Sequence, residues 1–521
     1  MRLFRMNFGQ TRVRLVQAGA VLTAAALVAG CGNNYRPTIT PINTNGPAPQ
    51  ITSYAAVVSA PSPTTAGQAT IIDYSGDSVM AEAPLLGVGP TAFTMDASGT
   101  TGYTINSNHT LTTFPISTSL QTKSESYTTL TTTAQIVNLF SPSSGLWAAD
   151  LCATDPNAAT LCAFNSGFSG IDIFTGSPAT YLNSIPLPPT PVMMLGSIST
   201  RYFAITQGNS LGGTVASGVT CNISPTTASA GEADGIEPSY TISSRIAVGK
   251  CPVYAVESSD TRRLFVLNRG SDTITVINSL SDAPNDCGPT VETQTGRIFT
   301  CHPTLPLSTA AVTATGITPP NGTTGMGLVA GPVYAEYNSA LSLLVVANYD
   351  GNSISIIDVS LDEFGQDSPT FGTTYTVPVG TNPASVTVLA DGSRAYVANQ
   401  ADQTVTIVNL SSHSALKALQ VTGYPRTVVS TQNSTQGKVY VASPNSPYLT
   451  IIRTDLDIVD TAVLVSGNIV DVRVSSQNGS GGNNNNQTRV PGFGQPCNLP
   501  PSIMASTYGA NYTLANCQKQ P

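Results

Sequence analysis

One phrase, repeated along the chain, limits its folding options more than any other feature. Ala395-Tyr396-Val397-Ala398-Asn399 is followed, after a polar turn, by Thr404-Val405-Thr406-Ile407-Val408-Asn409. Leu264-Phe265-Val266-Leu267-Asn268 precedes Thr273-Ile274-Thr275-Val276-Ile277-Asn278 in the same way, and Leu344-Val345-Val346-Ala347-Asn348 precedes Ser353-Ile354-Ser355-Ile356-Ile357-Asp358. In all three, ten residues separate the Asn from the closing Asn or Asp, and Ser443 to Arg453 repeats the spacing. A Pro stands sixteen residues before each Asn: Pro252, Pro332 and Pro383. The same offset finds weaker copies from Pro90 to Asn106 and from Pro191 to Gln207; Pro425 leads to Ser443 with two residues extra, and a copy without Pro begins near Ala134. The starts near 90, 134, 191, 252, 332, 383 and 425 are separated by 44, 57, 61, 80, 51 and 42 residues. A unit of about 42 residues with insertions accounts for them.

Thr-Val-Thr-Ile-Val alternates with period two, as a strand does and a helix does not. Each unit reads as strand, turn, strand, turn, strand and a last strand closing in Val-Gly, as at Val88-Gly89, Val248-Gly249 and Val379-Gly380. Pro then falls at a strand start, where it removes no ladder hydrogen bond. A period near 40 with several short strands per unit marks propeller blades. The phrase Asp391-Gly392-Ser393-Arg394, Tyr396-Val397-Ala398-Asn399, Thr404 to Asn409 and Val379-Gly380-x-x-Pro383 resembles the YVTN-type β-propeller repeat, with Ala398 where the motif has Thr. The resemblance is strong over residues 252 to 467 and weak over 51 to 250. It implies an all-β fold shared by surface-layer proteins, binding modules and lactonase-like enzymes, and so a fold more than a function. Seven starts give seven blades. Strand-like segments at Tyr54–Val58, Thr70–Ile72 and Val79–Leu86 lack a leading strand, which Ile469–Val474 at the other end can supply. The expectation is an all-β propeller of about eight four-stranded blades, closed by pairing of N- and C-terminal strands, with seven blades as the alternative if the copy at 134 is misread.

The first residues carry an address. Arg2, Arg5, Arg12 and Arg14 precede a 15-residue apolar stretch, Leu15–Ala29, that is short for a membrane span. Leu27-Val28-Ala29-Gly30-Cys31 resembles a bacterial lipobox, which implies that residues 1–30 are a lipoprotein signal peptide and that Cys31 is the lipidated N-terminus. An ordinary secretory signal with an incidental Cys is the alternative. Gly32, not Asp, follows Cys31, so an outer membrane, on its periplasmic or surface side, is expected ahead of an inner one. Residues 31–50, rich in Pro, Thr and Asn, read as a tether; 51–476 as the propeller; 477–490, with its Asn run, as a flexible linker; and 491–521 as a C-terminal tail. Cleavage takes the basic residues from 21 to 17 against 29 acidic ones, leaving a charge of about −12 and no basic footprint for nucleic acid. Only 10% of residues are charged, so few long helices with wet charged faces are expected.

Eight cysteines remain beside Cys31. Neighbour pairing as Cys152/Cys162, Cys221/Cys251, Cys287/Cys301 and Cys497/Cys517 is the simplest of roughly 105 connectivities. Export favours disulfides over metal binding, for which no Cys-x-x-Cys exists. The first three pairs fall in the units with the longest gaps, so they would pin inserted loops, where a rigid scaffold usually carries its binding surface.

No catalytic constellation emerges. Gly208-Asn209-Ser210-Leu211-Gly212 matches a nucleophile elbow but lacks its strand-turn-helix setting. Ser414-Ala415-Leu416-Lys417 has no Lys-Thr-Gly partner. The three histidines, His109, His302 and His413, read as exposed loop residues, and the single Trp147 argues against a quinone-cofactor propeller. Asn348-x-Asp350-Gly351-Asn352 starts like a calcium loop, but Val359 stands where the bidentate Glu belongs, so no metal and no cofactor are expected. Asn268, Asn348, Asp350, Asn399 and Asp402 are the candidate residues: either they bond the turn backbone, or the amides ring one face and recognise a polar ligand or glycan. The sequence thus favours a membrane-anchored binding or scaffolding module with an envelope protein or glycan as partner. A lactonase-like or lyase-like enzyme working at the channel mouth is the alternative, and a passive structural protein of the envelope a third option.

Overall fold

A computed structural model of the chain describes residues 54–475, apart from 75, 97–98, 109, 117–125, 131–135, 143–144, 151–168, 177–178, 188–190, 197–200, 208–229, 287–300, 308–329 and 436; at 83–86 and 126–129 only the backbone is described. The described strands form eight antiparallel sheets. Blades 1 to 7 begin with inner strands Pro90–Met95, Ile136–Phe140, Pro191–Gly196, Pro252–Glu257, Pro332–Asn338, Pro383–Val388 and Thr427–Ser430. In each, strand order follows chain order outward. Blade 4 differs only in its outer strand, which is split into Ala283–Pro284 and Thr304–Pro306 around the insertion that contains Cys287. Blade 8 is shared between the chain's two ends. Its outer three strands are Tyr54–Ala60, Ala66–Asp73 and Val79–Val88, and its inner strand is Asn468–Val474. The seven-blade alternative is thereby settled, and the unit without Pro is a blade starting at Ile136.

The sixteen-residue spacing is a pairing distance. Pro252 lies opposite Asn268, Pro332 opposite Asn348, Pro383 opposite Asn399 and Pro90 opposite Asn106. Pro191 lies opposite Thr206, one residue short of Gln207. A bulge follows each of these prolines, so the residue two after Pro faces the one before Asn. Pro lacks an N–H and suits a strand's first position, before an irregularity.

Alternation along the third strand does not separate core from water. In Thr404–Asn409 the four central residues are buried whatever their parity. Val405 and Ile407 join an apolar cluster with Val428, Val439, Val441 and Ile452 of blade 7, while Thr406 turns the other way, to Asn399. Outer strands are the wet ones: in Ser414–Gln420 all but one residue is exposed. The apolar core is therefore not central but divided among the interfaces between blades. One cluster joins blades 7 and 8, another blades 8 and 1, and a large one runs continuously through blades 3 to 6.

Closure is a strand pairing across the whole chain. Ala56, Val57 and Val58 lie opposite Arg473, Val472 and Asp471. Ser475 and Tyr54 lock the end: the Tyr54 N–H donates to Ser475 Oγ at 2.9 Å and the Ser475 N–H to the Tyr54 carbonyl at 3.0 Å. Val472 is fully buried in the cluster between blades 7 and 8. Val472→Asp would bury an unpaired charge in the strand that closes the ring. It is expected to cost about 4 kcal/mol or more, read as a lowered urea midpoint, whereas Val459→Asp on the exposed outer strand of blade 7 is expected to change the midpoint little.

Candidate functional site

The recurrent asparagines are fully buried, and their amides are engaged by neighbouring side chains rather than by the turn backbone. Asn268 Nδ2 donates to Thr275 Oγ1 at 2.8 Å and Thr273 Oγ1 at 3.3 Å. Asn348 Nδ2 donates to Ser355 and Ser353 at 2.8 and 3.1 Å, and Asn399 Nδ2 to Thr406 and Thr404 at 2.7 and 3.0 Å. Asn106 makes the same clamp with Thr110 and Thr112 and adds the Thr110 carbonyl. Each amide thus ties the end of the second strand to the hydroxyls five and seven residues on (four and six for Asn106). The Thr and Ser of the repeat are there for this reason. The connection between blades passes directly above. A Cβ placed on Gly249 would lie 2.6 Å from Asn268 Cγ, and one on Gly380 2.7 Å from Asn399 Cγ; Gly87 stands in the same relation to Asn106. In these three blades the glycine three before the Pro leaves room for the clamp, whereas blade 5 has Val329 at that position in the sequence.

The other candidates also serve connections. The Thr381 N–H donates to Asp402 Oδ2. Asp272 Oδ1 accepts the Gly331 N–H at 2.7 Å, and Asn352 Oδ1 accepts the Asn382 N–H at 2.9 Å. Asp350 makes a two-toothed ion pair with buried Arg269, at 2.8 and 2.6 Å, and the Arg269 guanidinium stands over the Tyr349 ring. Of the side chains that resemble a calcium loop, Asp350 and Asn352 are engaged by the protein through their oxygens, while Asn348 is engaged through its amide nitrogen and its Oδ1 accepts no bond among the described residues. Among the described residues no three His, Cys, Asp or Glu side chains form a group able to hold a metal.

His302 is not the free loop residue that its sequence setting suggests. Asp367, from the loop before the outer strand of blade 5, is buried beneath it. Its Oδ2 accepts the Asn285 amide at 2.9 Å and the His302 N–H at 3.0 Å, with His302 Nδ1 at 3.1 Å. Its Oδ1 accepts Arg263 Nε and Nη2 at 3.3 and 3.2 Å. The ring stacks on Phe371. This is a carboxylate staple between blades 4 and 5, and the nearest approach to an acid–imidazole pair among the described residues. His413 stacks face to face on Tyr375, at 3.6 Å between centroids. Ser414 to Lys417 lie on an exposed outer strand. Cys251 is buried and Cys301 half-buried. Cys31, Cys152, Cys162, Cys221, Cys287, Cys497, Cys517, His109 and Gly208–Gly212 lie outside the described residues.

A constellation the repeat does not announce sits on the inner strands. By register, the second and fourth residues after Pro are Tyr254 and Val256 in blade 4, Tyr334 and Glu336 in blade 5, Ser385 and Thr387 in blade 6, and their equivalents in blade 8 are Asp471 and Arg473. These side chains reach the following blade: Glu336 Oε2 accepts the Val388 N–H at 2.6 Å, Ser385 Oγ accepts the Val428 N–H at 3.1 Å, and Thr387 meets Ser430 at 2.9 Å. The Tyr254 and Tyr334 rings lie 4.6 Å apart between centroids. Tyr254, Glu336 and Arg473 are 1%, 1% and 2% exposed. Burial, with Tyr334 and Glu336 adding to it and Arg473 opposing, holds the Tyr254 hydroxyl well above its ordinary value. Arg473 Nη2 lies 2.7 Å from Asp471 Oδ2, and Nη1 donates to the Val472 carbonyl at 3.1 Å. Arg473 Nε and Glu336 Oε1 have no hydrogen-bond partner among the described residues. The Tyr254 hydroxyl is buried against the Tyr334 phenol. Unpartnered buried atoms are uncommon and each costs roughly 1–3 kcal/mol.

These described strands define a β-propeller. No family model and no curated protein matches the sequence. Solved structures match it in fold alone. The dihydro-heme d1 dehydrogenase NirN, in complex with DHE, aligns with a TM-score of 0.51 at 11% identity, over 86% of this chain and 80% of its own. AztD from Citrobacter koseri aligns at 0.49 and 11%, over 81% and 97%, and a streptogramin B lyase at 0.41 and 12%, over 75% and 94%. A shared fold does not fix a function, so function rests on the residues above.

Buried carboxyls give the fold a pH signature. Burial pushes Glu336 up to about 8, partly offset by the Val388 N–H and the Thr387 hydroxyl. Burial, with Glu232 beside it, pushes Asp234 to about 8. Burial is also the main cause that takes Asp172 and Glu257 to about 7. A raised carboxyl favours the folded state fully below its ordinary value near ~4, and that contribution is lost as pH rises through 7 to 8. Asp358 and Asp391, held low by hydrogen bonds despite opposing burial, act only below the ordinary carboxyl range. The melting temperature is therefore expected to fall by several degrees between about pH 5 and pH 8.5, and Glu336→Gln to flatten that decline; a melting temperature rising over this interval would contradict the assignment. For the clamp, Asn399→Ala and Gly380→Ala are each expected to cost about 1–3 kcal/mol, measured by urea unfolding, with Gly380→Ala relieved in the Asn399→Ala background.

Proposed function

We propose that the protein is an exported, lipid-anchored propeller of the YVTN-repeat type that serves as a binding or scaffolding module for an envelope protein or glycan. One structural observation carries this reading. The insertions at 151–168 and 208–229 each take the place of the turn between second and third strands, in blades 2 and 3, and 308–329 joins the outer strand of blade 4 to the inner strand of blade 5. In an antiparallel blade those two kinds of connection lie on the same face, the one that holds the Asn268, Asn348 and Asn399 turns. Three long, non-repetitive segments thus spring from one face of a rigid ring, the arrangement by which scaffolds present binding surfaces. Neighbour disulfides, Cys152–Cys162 and Cys221–Cys251 among them, would hold two of these segments. The lipidated Cys31 and its tether would place that face outside the cytoplasm, on an outer membrane.

Among the described residues the enzymatic reading rests on one pair, His302 with Asp367. That carboxylate already accepts bonds from Arg263, Asn285 and a backbone N–H, as a structural staple would. It also holds the outer strand of blade 4 rather than the channel mouth.

One experiment tests anchor and face together. Tagged wild-type protein, Cys31→Ala, and a variant with 208–229 replaced by a four-residue turn are expressed in a bacterial host and used to capture partners from envelope extract. Cys31→Ala is expected to leave the membrane fraction and lose its acyl mass, and the turn variant to remain folded while losing the partner. Undiminished capture by the folded turn variant would remove the face assignment, and membrane retention by Cys31→Ala would remove the anchor.

A further inference from the structure

The two faces of the ring differ in what they expose. Turns between first and second strands, and between third and fourth, lie on the face opposite the Asn turns. Four of these turns carry a large apolar side chain at the tip. Leu280 in blade 4, Leu341 and Phe364 in blade 5 and Leu456 in blade 7 are 60, 43, 65 and 52% exposed. Among the described residues, no turn or connection of the Asn face has an exposed large apolar side chain. A lone surface leucine needs no explanation, but these four stand on turns bonded one to the next. The Ser279 N–H, beside Leu280, donates to the Arg262 carbonyl at 3.1 Å. Arg263 Nη2 donates to the Gly365 carbonyl, beside Phe364, at 3.1 Å. The Val359 N–H donates to the Ser342 carbonyl, beside Leu341, at 2.9 Å. Leu341 itself closes on Gly392 of blade 6, where a Cβ would have no room. Arg394 Nε, two residues on, donates to Asp457, beside Leu456, at 2.7 Å. The tips thus form one arc over blades 4 to 7.

The chain enters the ring on this same face. Tyr54 is paired with Ser475, and its hydroxyl donates to the Gly99 carbonyl, in the turn between first and second strands of blade 1. Lys438 Nζ of blade 7 lies 2.5 Å from Asp77 Oδ1 of blade 8, which continues the arc to the blade that Tyr54 opens. Cys31 stands 23 residues before Tyr54 in the sequence.

We propose that the face opposite the insertions docks on a lipid surface with zwitterionic headgroups, the tips at Leu280, Leu341, Phe364 and Leu456 entering the interface. The proposal rests on the lipidated Cys31 inferred above, which brings the chain to a membrane. An anchor joined to the ring at Tyr54 is attached on the arc's own side, and exposed apolar tips grouped on one face are what a membrane surface covers. Charge selects the lipid. Asp260 pairs with Arg262 and Asp455 with Arg453, and Asp362 and Glu363 precede Phe364. Anionic lipid attracts clusters of basic residues, and the described residues of the arc form none, so the contact is apolar. The insertion-bearing face is then turned away from the membrane, open to a partner.

Tryptophan fluorescence tests the face. The single native Trp147 is 2% exposed, so an introduced Trp reports from its own site. Leu280→Trp, Leu456→Trp and Thr64→Trp, the last on an exposed turn of the Asn face, are made in the full-length chain. Each is mixed with excess phosphatidylcholine vesicles whose acyl chains carry bromine, a contact quencher. Leu280→Trp and Leu456→Trp are expected to lose about half their added emission, with their tips roughly 5–10 Å into the headgroup–acyl boundary. Thr64→Trp is expected to be unchanged, and added anionic lipid to strengthen nothing. Absence of quenching at either tip, equal quenching of Thr64→Trp, or quenching that requires anionic lipid would overturn the docking. Dimerisation of the chain that leaves the tips unquenched would overturn it as well. Mass spectrometry of the same samples reads the acyl group separately: quenched tips without an acyl mass would remove the anchor and leave the docking. None of these outcomes bears on partner capture through residues 208–229.

Discussion

Every blade buries both broad faces of its middle strands against neighbours, and a row of such blades has two ends with apolar faces left open. The structure depends on abolishing those ends. It does so by giving blade 8 an inner strand from residues 468–474 and three outer strands from residues 54–88. Val57 and Val472 are then buried in one cluster, although more than 400 residues separate them in the chain. Because the apolar clusters lie between blades and not at a common centre, no blade has a complete core of its own. Closure is thus the step that makes all eight interfaces simultaneously favourable, and it removes the inner and lateral edges that an open array would expose.

Within a blade the recurring problem is different. The chain must turn sharply between the second and third strands while the connection from the previous blade passes close overhead. The solution combines three residue types at fixed offsets. A buried Asn donates to hydroxyls five and seven residues later, and a glycine three before the Pro gives it room. Asn, Thr or Ser, and Gly are uncharged and small, so no charge is buried with the clamp, although Asn268, Asn348 and Asn399 each leave the amide oxygen without a hydrogen-bond partner among the described residues. It also explains why a chain with only 10% charged residues is so rich in hydroxyls and amides: many of them are internal fastenings, not a solvent coat.

That combination is why the architecture could be read from the sequence. Pro and Asn face each other across a ladder, so their sixteen-residue spacing survives where everything between has drifted, as at Pro90 and Asn106. The blade at Ile136 lacks the Pro and shows only its Asp150 end, and so it was legible only as a gap of suitable length. The candidate amides were found, but not their role, because a motif shows which residues recur and not which hydroxyl an amide meets. Asp367 and His302 are 65 residues apart and in different blades; their pairing follows from ring geometry, to which a local motif is blind.

The inner-strand groups were hidden for a related reason. Glu336 stands in a repeat whose other copies have Val256 and Thr387 at that position, and Arg473 belongs to a strand with no Pro and no Asn. Each looks like an irregularity of one unit. Only the register of the closed ring shows that they occupy the same level of their inner strands, in blades 5 and 8. A repeat makes most positions equivalent so that the ring can form. The positions at which it departs from equivalence lie on the innermost strands, where Glu336 and Ser385 bond the following blade. Such positions can therefore vary from blade to blade without disturbing the Asn clamps at the strand ends.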